Sequence, residues 1–319
     1  MVATSNEPDN SPSDDEGRSG PLDGMLEDVG AHYHQFEAQV RDVNERIDQA
    51  AGRPLWVAIL VGLGLGGVFL ATLLLSPLLF SLFVGVLLAL AVIELVGAMR
   101  LNGARLSRGL LTLVSLAILG SAYFFGGDGL FGGLFAGMLL IVVGRVLLAM
   151  SPSARSSTGR DIQRGFFVLT YLPFLASAAV ALRQAEEGQW WILATIITVV
   201  SVDTAAYATG RAAGKHKLAP AISPGKTWEG LVGATLAGLI AGVSTGVWML
   251  GIGPVWGAVI GVAFVISATL GDLVESLIKR ELGIKDMSTM LPGHGGILDR
   301  LDSALPSIAL AYLLYQFLG

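Results

Sequence analysis

Long apolar runs separated by short polar connections dominate this chain from residue 54 onward. The runs cover roughly residues 54–75, 77–99, 109–126, 129–150, 165–182, 190–209, 230–250, 254–274 and 297–318. A helix needs about 20 apolar residues to cross the hydrocarbon of a bilayer, and each run is close to that length. The pattern therefore predicts an all-α, polytopic membrane protein with about nine transmembrane helices, and it shows neither a strong strand pattern nor a soluble domain.

The basic residues of the connections support this arrangement of spans. Connections two, four, six and eight carry Arg100, Arg105, Arg108, Arg155, Arg160, Arg164, Arg211, Lys215, Lys217, Lys226, Lys279, Arg280, Lys285 and Arg300, whereas the odd connections carry only Arg183. Cytoplasmic loops of membrane proteins are enriched in Lys and Arg. We therefore expect the N-terminus and the even connections in the cytoplasm of a cell-membrane protein, and the C-terminus outside.

The first 53 residues differ from the rest of the chain. Residues 1–21 are acidic and rich in Pro and Ser, which is typical of disorder. Residues 22–53 carry apolar positions at alternating spacings of four and three, namely Leu22, Leu26, Val29, Tyr33, Phe36, Val40, Val43 and Ile47. Such a seam favours a cytoplasmic coiled coil that forms a homodimer, or a single amphipathic helix that lies on the membrane or on the catalytic face of the protein itself. No cleavable signal peptide is visible.

Composition narrows the chemistry that this chain can perform. Only 14% of its residues are charged and it contains no Cys, so disulfides and thiolate metal sites are excluded. The net charge of −5 comes from the acidic N-terminal segment, because the membrane region after residue 53 is mildly basic. We expect the protein to reside in a lipid bilayer and to bind no nucleic acid.

Polar residues inside or at the edge of the apolar runs are candidates for function, because burying charge in a membrane is costly. Most lie in residues 203–319, which we distinguish as a catalytic region from the preceding helices, 54–202. They include Asp203 with Tyr207 one helical turn on, the loop 214–230, the stripe Asp272, Glu275, Ser276 and Lys279, and the pair Asp299 and Asp302. The stripe has the spacing of one helix face.

Asp272, Asp299 and Asp302 would converge if the last two spans form a hairpin around residues 281–296. Carboxylate oxygens suit Mg²⁺ better than Zn²⁺, so this triad predicts a metal site. The alternative interpretation is that these carboxylates cap helices and pair with neighbouring basic residues. The sequence does not decide whether Glu94, inside the second run, meets a lipid headgroup or another helix, nor what the intramembrane Arg145 contacts.

Gly225-Lys226-Thr227 invites comparison with a nucleotide-binding P-loop. That motif requires a glycine at position 220 and a preceding strand, but residue 220 is Pro and no strand is predicted before it. We therefore reject a P-loop, although Lys215, Lys217 and Lys226 remain suited to binding phosphates as point charges. His294 lies among glycines close to Asp299, which favours a functional role over that of an ordinary loop histidine.

Residues 276–302 resemble the signature of the phosphatidate cytidylyltransferases, also called CDP-diacylglycerol synthases. Sixteen positions carry the resemblance: Ser276, Lys279, Arg280, Lys285, Asp286, Ser288, Leu291, Pro292, His294, Gly295, Gly296, Ile297, Asp299, Arg300, Leu301 and Asp302. A second stretch, from Asp203 to Gly230, is also similar to this family. The resemblance is weak over 54–202 and absent before residue 54.

The resemblance implies a membrane enzyme that joins CTP to phosphatidic acid and releases pyrophosphate, with Mg²⁺ and a second divalent ion or K⁺. It implies catalytic roles for Asp272, Asp299, Asp302, Lys279, Arg280, Arg300 and His294, the three Asp also holding metal. It implies substrate binding by Asp203, Tyr207, Lys215, Lys217, Ser223, Lys226, Thr227, Glu229, Ser276, Lys285, Asp286, Gly295 and Gly296. A transporter is the main alternative of another class, but the charges cluster at one face and no inverted repeat is visible.

Overall fold

The structure is a computed structural model that describes residues 55–148, 158–284, 287–288 and 296–319, with side chains from residue 60 onward except that of Leu148. The predicted acidic tail and the heptad seam lie outside the described residues. Residues 57–319 form one compact unit, and all the contacts below belong to it.

The described chain is almost entirely helical, as the apolar runs predict. The helices are α1 (Leu55–Leu75), α2 (Pro77–Leu101), α3 (Arg108–Leu148), α4 (Thr158–Leu169), α5 (Leu175–Gln184), α6 (Gly188–Ala213), α7 (Trp228–Trp248), α8 (Gly253–Glu281), α9 (Leu298–Leu301) and α10 (Ala304–Leu318). Six helical stretches within the described residues are long and apolar enough to cross a membrane. The chain is therefore a multi-pass membrane protein.

Helix α3 contains two of the predicted runs, which meet at Gly126. Its backbone there has φ 57° and ψ −133°, a conformation that glycine adopts far more readily than other residues. Beyond the break the helix returns along itself, because a methyl group at Gly137 would lie 3.0 Å from Val114 and one at Gly133 would lie 3.3 Å from Ile118 Cα. The long helix is thus an antiparallel hairpin.

The fifth predicted run is longer in the structure than in the sequence pattern. A π-helical turn, Thr170–Phe174, joins α4 to α5, and the combined stretch Thr158–Gln184 is long enough to span a bilayer. Pro173 lies inside this turn. Proline has no N–H to donate, so a local change in hydrogen-bond pattern accommodates it without ending the helix.

A short β-hairpin is the main departure from the predicted secondary structure. Strands β1 (Lys217–Ala219) and β2 (Ser223–Thr227) pair in antiparallel fashion between α6 and α7. The segment is polar and contains two prolines, so it lacks the alternation of apolar residues by which strands are recognised.

The four basic connections lie on one face of the bundle. Asn102 donates to the carbonyl of Leu282 at 2.9 Å, Arg105 N–H donates to Asp161 at 3.1 Å, and Arg280 donates to the carbonyl of Ile222 at 3.3 Å. These three contacts tie connections two, four, six and eight together.

The intramembrane Arg145 belongs to the same basic face. It forms an ion pair with the fully buried Asp161 and donates to the carbonyl of Arg105 at 2.9 Å. On the opposite face, Arg183 donates to Leu73 O at 2.7 Å and Gln184 donates to Tyr123 O at 3.0 Å. The alternation of connections predicted from loop charge is thus present in the structure.

Glycines bring α7 and α8 into close contact. A methyl group at Gly242 would lie 2.6 Å from Gly261 Cα and 2.5 Å from Gly257 O, closer than real Cβ contacts. Small residues at helix interfaces allow such close backbone approach in membranes. Their tight packing fixes the end of α8, which carries the polar stripe, beside the β-hairpin that follows α6.

Candidate active site

A polar cavity of about 470 Å³ opens at the basic face. Its wall is built from the end of α6, the β-hairpin, the start of α7, the end of α8 and the residue pair between α9 and α10. The lining residues that carry polar side chains are Asp203, Tyr207, Arg211, Ser223, Lys226, Thr227, Thr269, Asp272, Asp302 and Ser303. Two stretches distant in sequence, 203–231 and 269–303, therefore form one site.

Three carboxylates, those of Asp203, Asp272 and Asp302, line this cavity. Asp272 pairs with Lys226 at 2.7 Å and accepts a hydrogen bond from Ser276 at 3.3 Å. The last contact is between residues four apart on α8, so the predicted stripe on one helix face is confirmed. Asp302 accepts from the backbone N–H of Ser303 at 2.7 Å.

Asp299 occupies a different environment from Asp302, although we expected the two to share a helix face. Lys279 bridges Asp299, at 2.9 Å, and Glu275, at 2.5 Å. The other oxygen of Asp299 accepts from the backbone N–H groups of Gly296 at 2.8 Å and Met287 at 3.2 Å. Asp299 is therefore committed to holding the segment before α9, and it does not line the polar cavity.

The helical hydrogen bonding of the last predicted span is interrupted near these residues, although Asp302 (φ −55°, ψ −47°) and Ser303 (φ −81°, ψ −33°) keep α-helical backbone angles. Helix α9 has only four residues and ends before Asp302, and α10 begins at Ala304. Asp299 lies toward Lys279 and the backbone N–H groups of Met287 and Gly296, whereas Asp302 lies on the cavity wall. Residues three apart on a helix still point in directions that differ by about 60°, which is enough for the two carboxylates to meet different partners.

Glu94 in α2 holds the start of α9 in place. It is 6% exposed and accepts from the backbone N–H groups of Ile297 and Leu298, each at 3.1 Å, and from the Ser288 hydroxyl at 2.5 Å. Its partner is thus another part of the protein rather than a lipid headgroup. These partners lie about two hundred residues further along the chain, so no local sequence pattern indicates them.

The base of the β-hairpin is held by Glu229, which we expected to bind substrate. Its carboxylate accepts from the backbone N–H groups of Lys215 at 3.1 Å and His216 at 3.2 Å, and His216 Nδ1 lies 2.7 Å from it. Thr227 caps α7 by accepting from Gly230 N–H at 3.1 Å. Glu229 therefore positions the hairpin, and Thr227 both caps α7 and lines the cavity.

The remaining predicted basic residues divide between the cavity and its surroundings. The ammonium of Lys226 lies inside, and Arg211 lies within 3.4 Å of the Tyr207 hydroxyl, both on the cavity wall. Lys215 and Lys217 are exposed outside it. Arg280 is committed to the carbonyl of Ile222, and Arg300 lies outside the polar cavity. Lys285, Asp286, His294 and Gly295 lie outside the described residues.

Close packing at Gly271 fixes the distance between α8 and the α9–α10 junction. A methyl group there would overlap the carbonyl oxygen of Asp302 and lie 2.7 Å from Pro306. Any other residue would push Asp302 away from Asp272, so this glycine sets the spacing of two of the cavity's three carboxylates. Sequence analysis did not single it out, because one glycine among 42 carries no distinguishing local signal.

The donors in the cavity fit a hard cation by their chemistry. Among the residues that the structure describes, no three acidic or histidine side chains form a group able to hold a metal by themselves. Mg²⁺, however, is usually bound by one or two carboxylates together with substrate phosphates and water. Asp272 and Asp302, with Asp203 on the same wall, suit that mode. Asp299 suits it less, because its oxygens already accept three hydrogen bonds.

The chain is similar in sequence to known enzymes. The model of the cytidylyltransferase family matches residues 56–318. The chain belongs to the cytidylyltransferase family. The match covers the complete helical unit, including both halves of the cavity, and it confirms the resemblance found in residues 203–302.

Two mycobacterial relatives match most of the length of this chain, and a third relative matches about half of it. A phosphatidate cytidylyltransferase of Mycobacterium bovis is 37% identical over 282 residues, which cover 84% of this chain and 90% of the relative. The enzyme of the same name from Mycobacterium leprae is 32% identical over 317 residues, covering 96% of this chain and 99% of the relative. The Haemophilus influenzae enzyme is 38% identical over 167 residues, 49% of this chain and 58% of the relative.

Proposed function

We propose that this chain is a phosphatidate cytidylyltransferase, which converts CTP and phosphatidic acid to CDP-diacylglycerol and pyrophosphate. The observation that carries the proposal is the polar cavity with Lys226 and three carboxylates on its wall. Relatives of that name match most of this chain and most of their own length, and the cavity lies within the matched region. A kinase or transporter would not account for both findings.

The reaction requires little chemistry from protein side chains. An anionic oxygen of the lipid phosphate forms a bond to the α-phosphorus of CTP, and the bond from that phosphorus to the bridging oxygen breaks as pyrophosphate leaves with the electron pair. The attacking oxygen is already deprotonated near neutral pH. Catalysis therefore rests on placing the two phosphates in line and neutralising their charge.

The cavity residues divide these tasks between them. Lys226 reaches over Asp272 from the hairpin and neutralises the triphosphate. Asp203, Asp272 and Asp302 would hold Mg²⁺, with a second divalent ion or K⁺, and the bound metal would supply neutralisation of phosphate charge. Tyr207, Arg211 and Ser223 surround the nucleotide. Lys279 orients Asp299, which in turn fixes the segment leading to Asp302.

We further propose that the basic face is cytoplasmic and that the protein resides in the cell membrane. The four connections that carry most of the Lys and Arg residues meet at that face, as the positive-inside rule requires. CTP would then enter the polar cavity from the cytoplasm. Dimerisation through residues 22–53 stays a prediction from the heptad seam.

Two radiolabels distinguish this reaction from lipid phosphorylation. Purified protein is incubated with phosphatidic acid or a lipid alcohol and with CTP labelled at either the α- or the γ-phosphate, and the lipid products are separated by thin-layer chromatography. We expect the α-label in a phosphatidate-derived lipid and the γ-label in pyrophosphate. Transfer of the γ-label to lipid would show a kinase and overturn the proposal.

A further inference from the structure

His216 lies at the base of the β-hairpin, directly before β1, and the proposed mechanism does not use it. Its side chain is 78% exposed, and it is outside the polar cavity. Substitution of such a surface residue ordinarily changes little. The contacts of His216, however, join the two ends of the hairpin that carries Lys226.

Three groups of His216 contact the segment that follows β2. Its carbonyl oxygen accepts from the backbone N–H of Trp228 at 3.0 Å, and its own backbone N–H donates to Glu229 Oε2 at 3.2 Å. The ring Nδ1 lies 2.7 Å from Glu229 Oε1. An ionised carboxylate can only accept hydrogen bonds, so Nδ1 carries the hydrogen. His216 therefore closes the open end of the hairpin.

The hairpin depends on this closure because its own ladder is short. Lys217 pairs with Thr227 and Ala219 with Ser223, with an irregularity between the two pairs. A two-stranded hairpin by itself is at best marginally stable in water. At the turn, the carbonyl of Ile222 accepts from Arg280 at 3.3 Å, which is long for a hydrogen bond. The contacts of His216 with Glu229 include the shorter one, at 2.7 Å.

Lys226 lies next to the base of the hairpin. It directly precedes Thr227, the last paired residue of β2, and its ammonium reaches Asp272 at 2.7 Å. A displacement of β2 at its base would carry Lys226 away from Asp272, whereas the carboxylates, which lie on the helices and their junction, would stay in place. Loss of the contact between His216 and Glu229 should therefore affect Lys226 selectively.

We infer that His216 is a positioning residue that holds Lys226 over the polar cavity through Glu229. Its kinetic consequence rests on the proposed function, in which Lys226 neutralises the triphosphate of CTP. The imidazole acts from outside the cavity, and it orders β2 before the nucleotide binds. KM for CTP then depends on His216, whereas kcat and KM for phosphatidic acid do not.

Three substitutions of His216 test which ring nitrogen matters. The amide nitrogen of asparagine is as many bonds from the backbone as Nδ1 is, whereas that of glutamine is one bond further away. We expect His216→Ala and His216→Gln to raise KM for CTP about three- to fivefold, as the loss of an exposed ion pair can, with kcat and KM for phosphatidic acid unchanged. His216→Asn should restore the wild-type KM. Equal KM values in the Asn and Gln variants, or a fall in kcat at constant KM, would overturn the inference.

A double variant tests whether His216 acts through Glu229. In a Glu229→Ala background, His216→Ala should cause no further rise in KM for CTP, because the partner of the imidazole is already absent. Independent effects that multiply would show that the imidazole acts by another route and would overturn the inference.

Hydrogen exchange separates this inference from the proposed reaction, because it needs no substrate. Amides of residues 217–227 should exchange faster in His216→Ala and His216→Gln than in the wild type and in His216→Asn, since the hairpin opens more often. Equal exchange in all four proteins would overturn the positioning role, whatever reaction the protein catalyses. Altered exchange together with no formation of CDP-diacylglycerol by the wild type would refute the proposed function alone.

Discussion

At the scale of single residues, some polar side chains line the cavity and others hold the surrounding segments in place. Lys226 and Asp272 meet inside the polar cavity at 2.7 Å. Glu94, Glu229 and Asp299 instead accept backbone hydrogen bonds that fix the surrounding segments. Substitutions in the two groups should therefore have different kinetic signatures.

Lys226→Ala should raise KM for CTP about tenfold or more with little change in KM for phosphatidic acid, because it removes the one lysine of the hairpin that lines the cavity. Lys217→Ala is the matched control on the same hairpin, since its side chain lies outside. Steady-state kinetics with each substrate varied in turn measures the effect. An altered KM for the lipid with a normal KM for CTP would place the hairpin over the lipid instead.

Glu94→Gln should lower kcat about tenfold while leaving both KM values nearly unchanged. The neutral amide is a weaker acceptor for the two backbone N–H groups of Ile297 and Leu298, and hydrogen bonds to a charged group contribute about 1.5–3 kcal/mol. The position of the junction that carries Asp302 would become less well defined, whereas the contacts with substrate would be retained. Ser288→Ala, which removes only one of the donors to Glu94, should have a smaller effect; equal losses in the two variants would argue against this positioning role.

At the scale of helices and strands, local periodicity predicted some features and not others. The stripe on α8 was predictable, because Asp272, Ser276 and Lys279 depend only on the pitch of one helix. The divergence of Asp299 and Asp302 was not, because it depends on the donors that Lys279, Met287 and Gly296 present to Asp299. The partners of Glu94 are about two hundred residues away, beyond the reach of any local pattern.

Local periodicity also failed to predict the hairpin and the close helix contacts. The hairpin in residues 217–227 forms through backbone hydrogen bonds between its two strands, without an alternation of apolar and polar side chains. The close approach of α8 to the α9–α10 junction depends on Gly271. We therefore expect even a small side chain at residue 271 to reduce turnover strongly.

Gly271→Ala should reduce kcat at least about tenfold, because the added methyl group overlaps the carbonyl of Asp302 and forces the junction away from Asp272. Gly120→Ala is the matched control, since a methyl group there meets nothing within 4 Å and alanine favours helix. Turnover and thermal unfolding of both variants are measured in detergent. Full activity of Gly271→Ala would show that the spacing of the two carboxylates is not critical.

At the scale of the whole molecule, the bundle has two chemically different faces. Hydrogen bonds tie the basic connections together on one face, and Arg183 and Gln184 fasten the opposite face. The apolar runs and the loop charges predicted this alternation, because the positive-inside rule acts on whole loops and not on particular contacts.

Cysteines introduced into this Cys-free chain test the orientation. Lys217→Cys and Glu281→Cys, both exposed on the basic face, should be protected from a membrane-impermeant thiol reagent in intact cells and labelled after permeabilisation. Glu186→Cys, on the opposite face, should be labelled in intact cells. The reverse pattern would invert the proposed topology while leaving the fold unchanged.

The most direct test of the account is the turnover number of Asp302→Asn for CDP-diacylglycerol formation from CTP and phosphatidic acid. Removing one carboxylate charge from the wall of the polar cavity should lower kcat at least about 100-fold, with thermal unfolding unchanged because the substitution is nearly isosteric. Asp128→Asn, the same change at an exposed position outside this cavity, should retain wild-type activity. Wild-type turnover by a folded Asp302→Asn protein would contradict the assignment of this cavity as the active site.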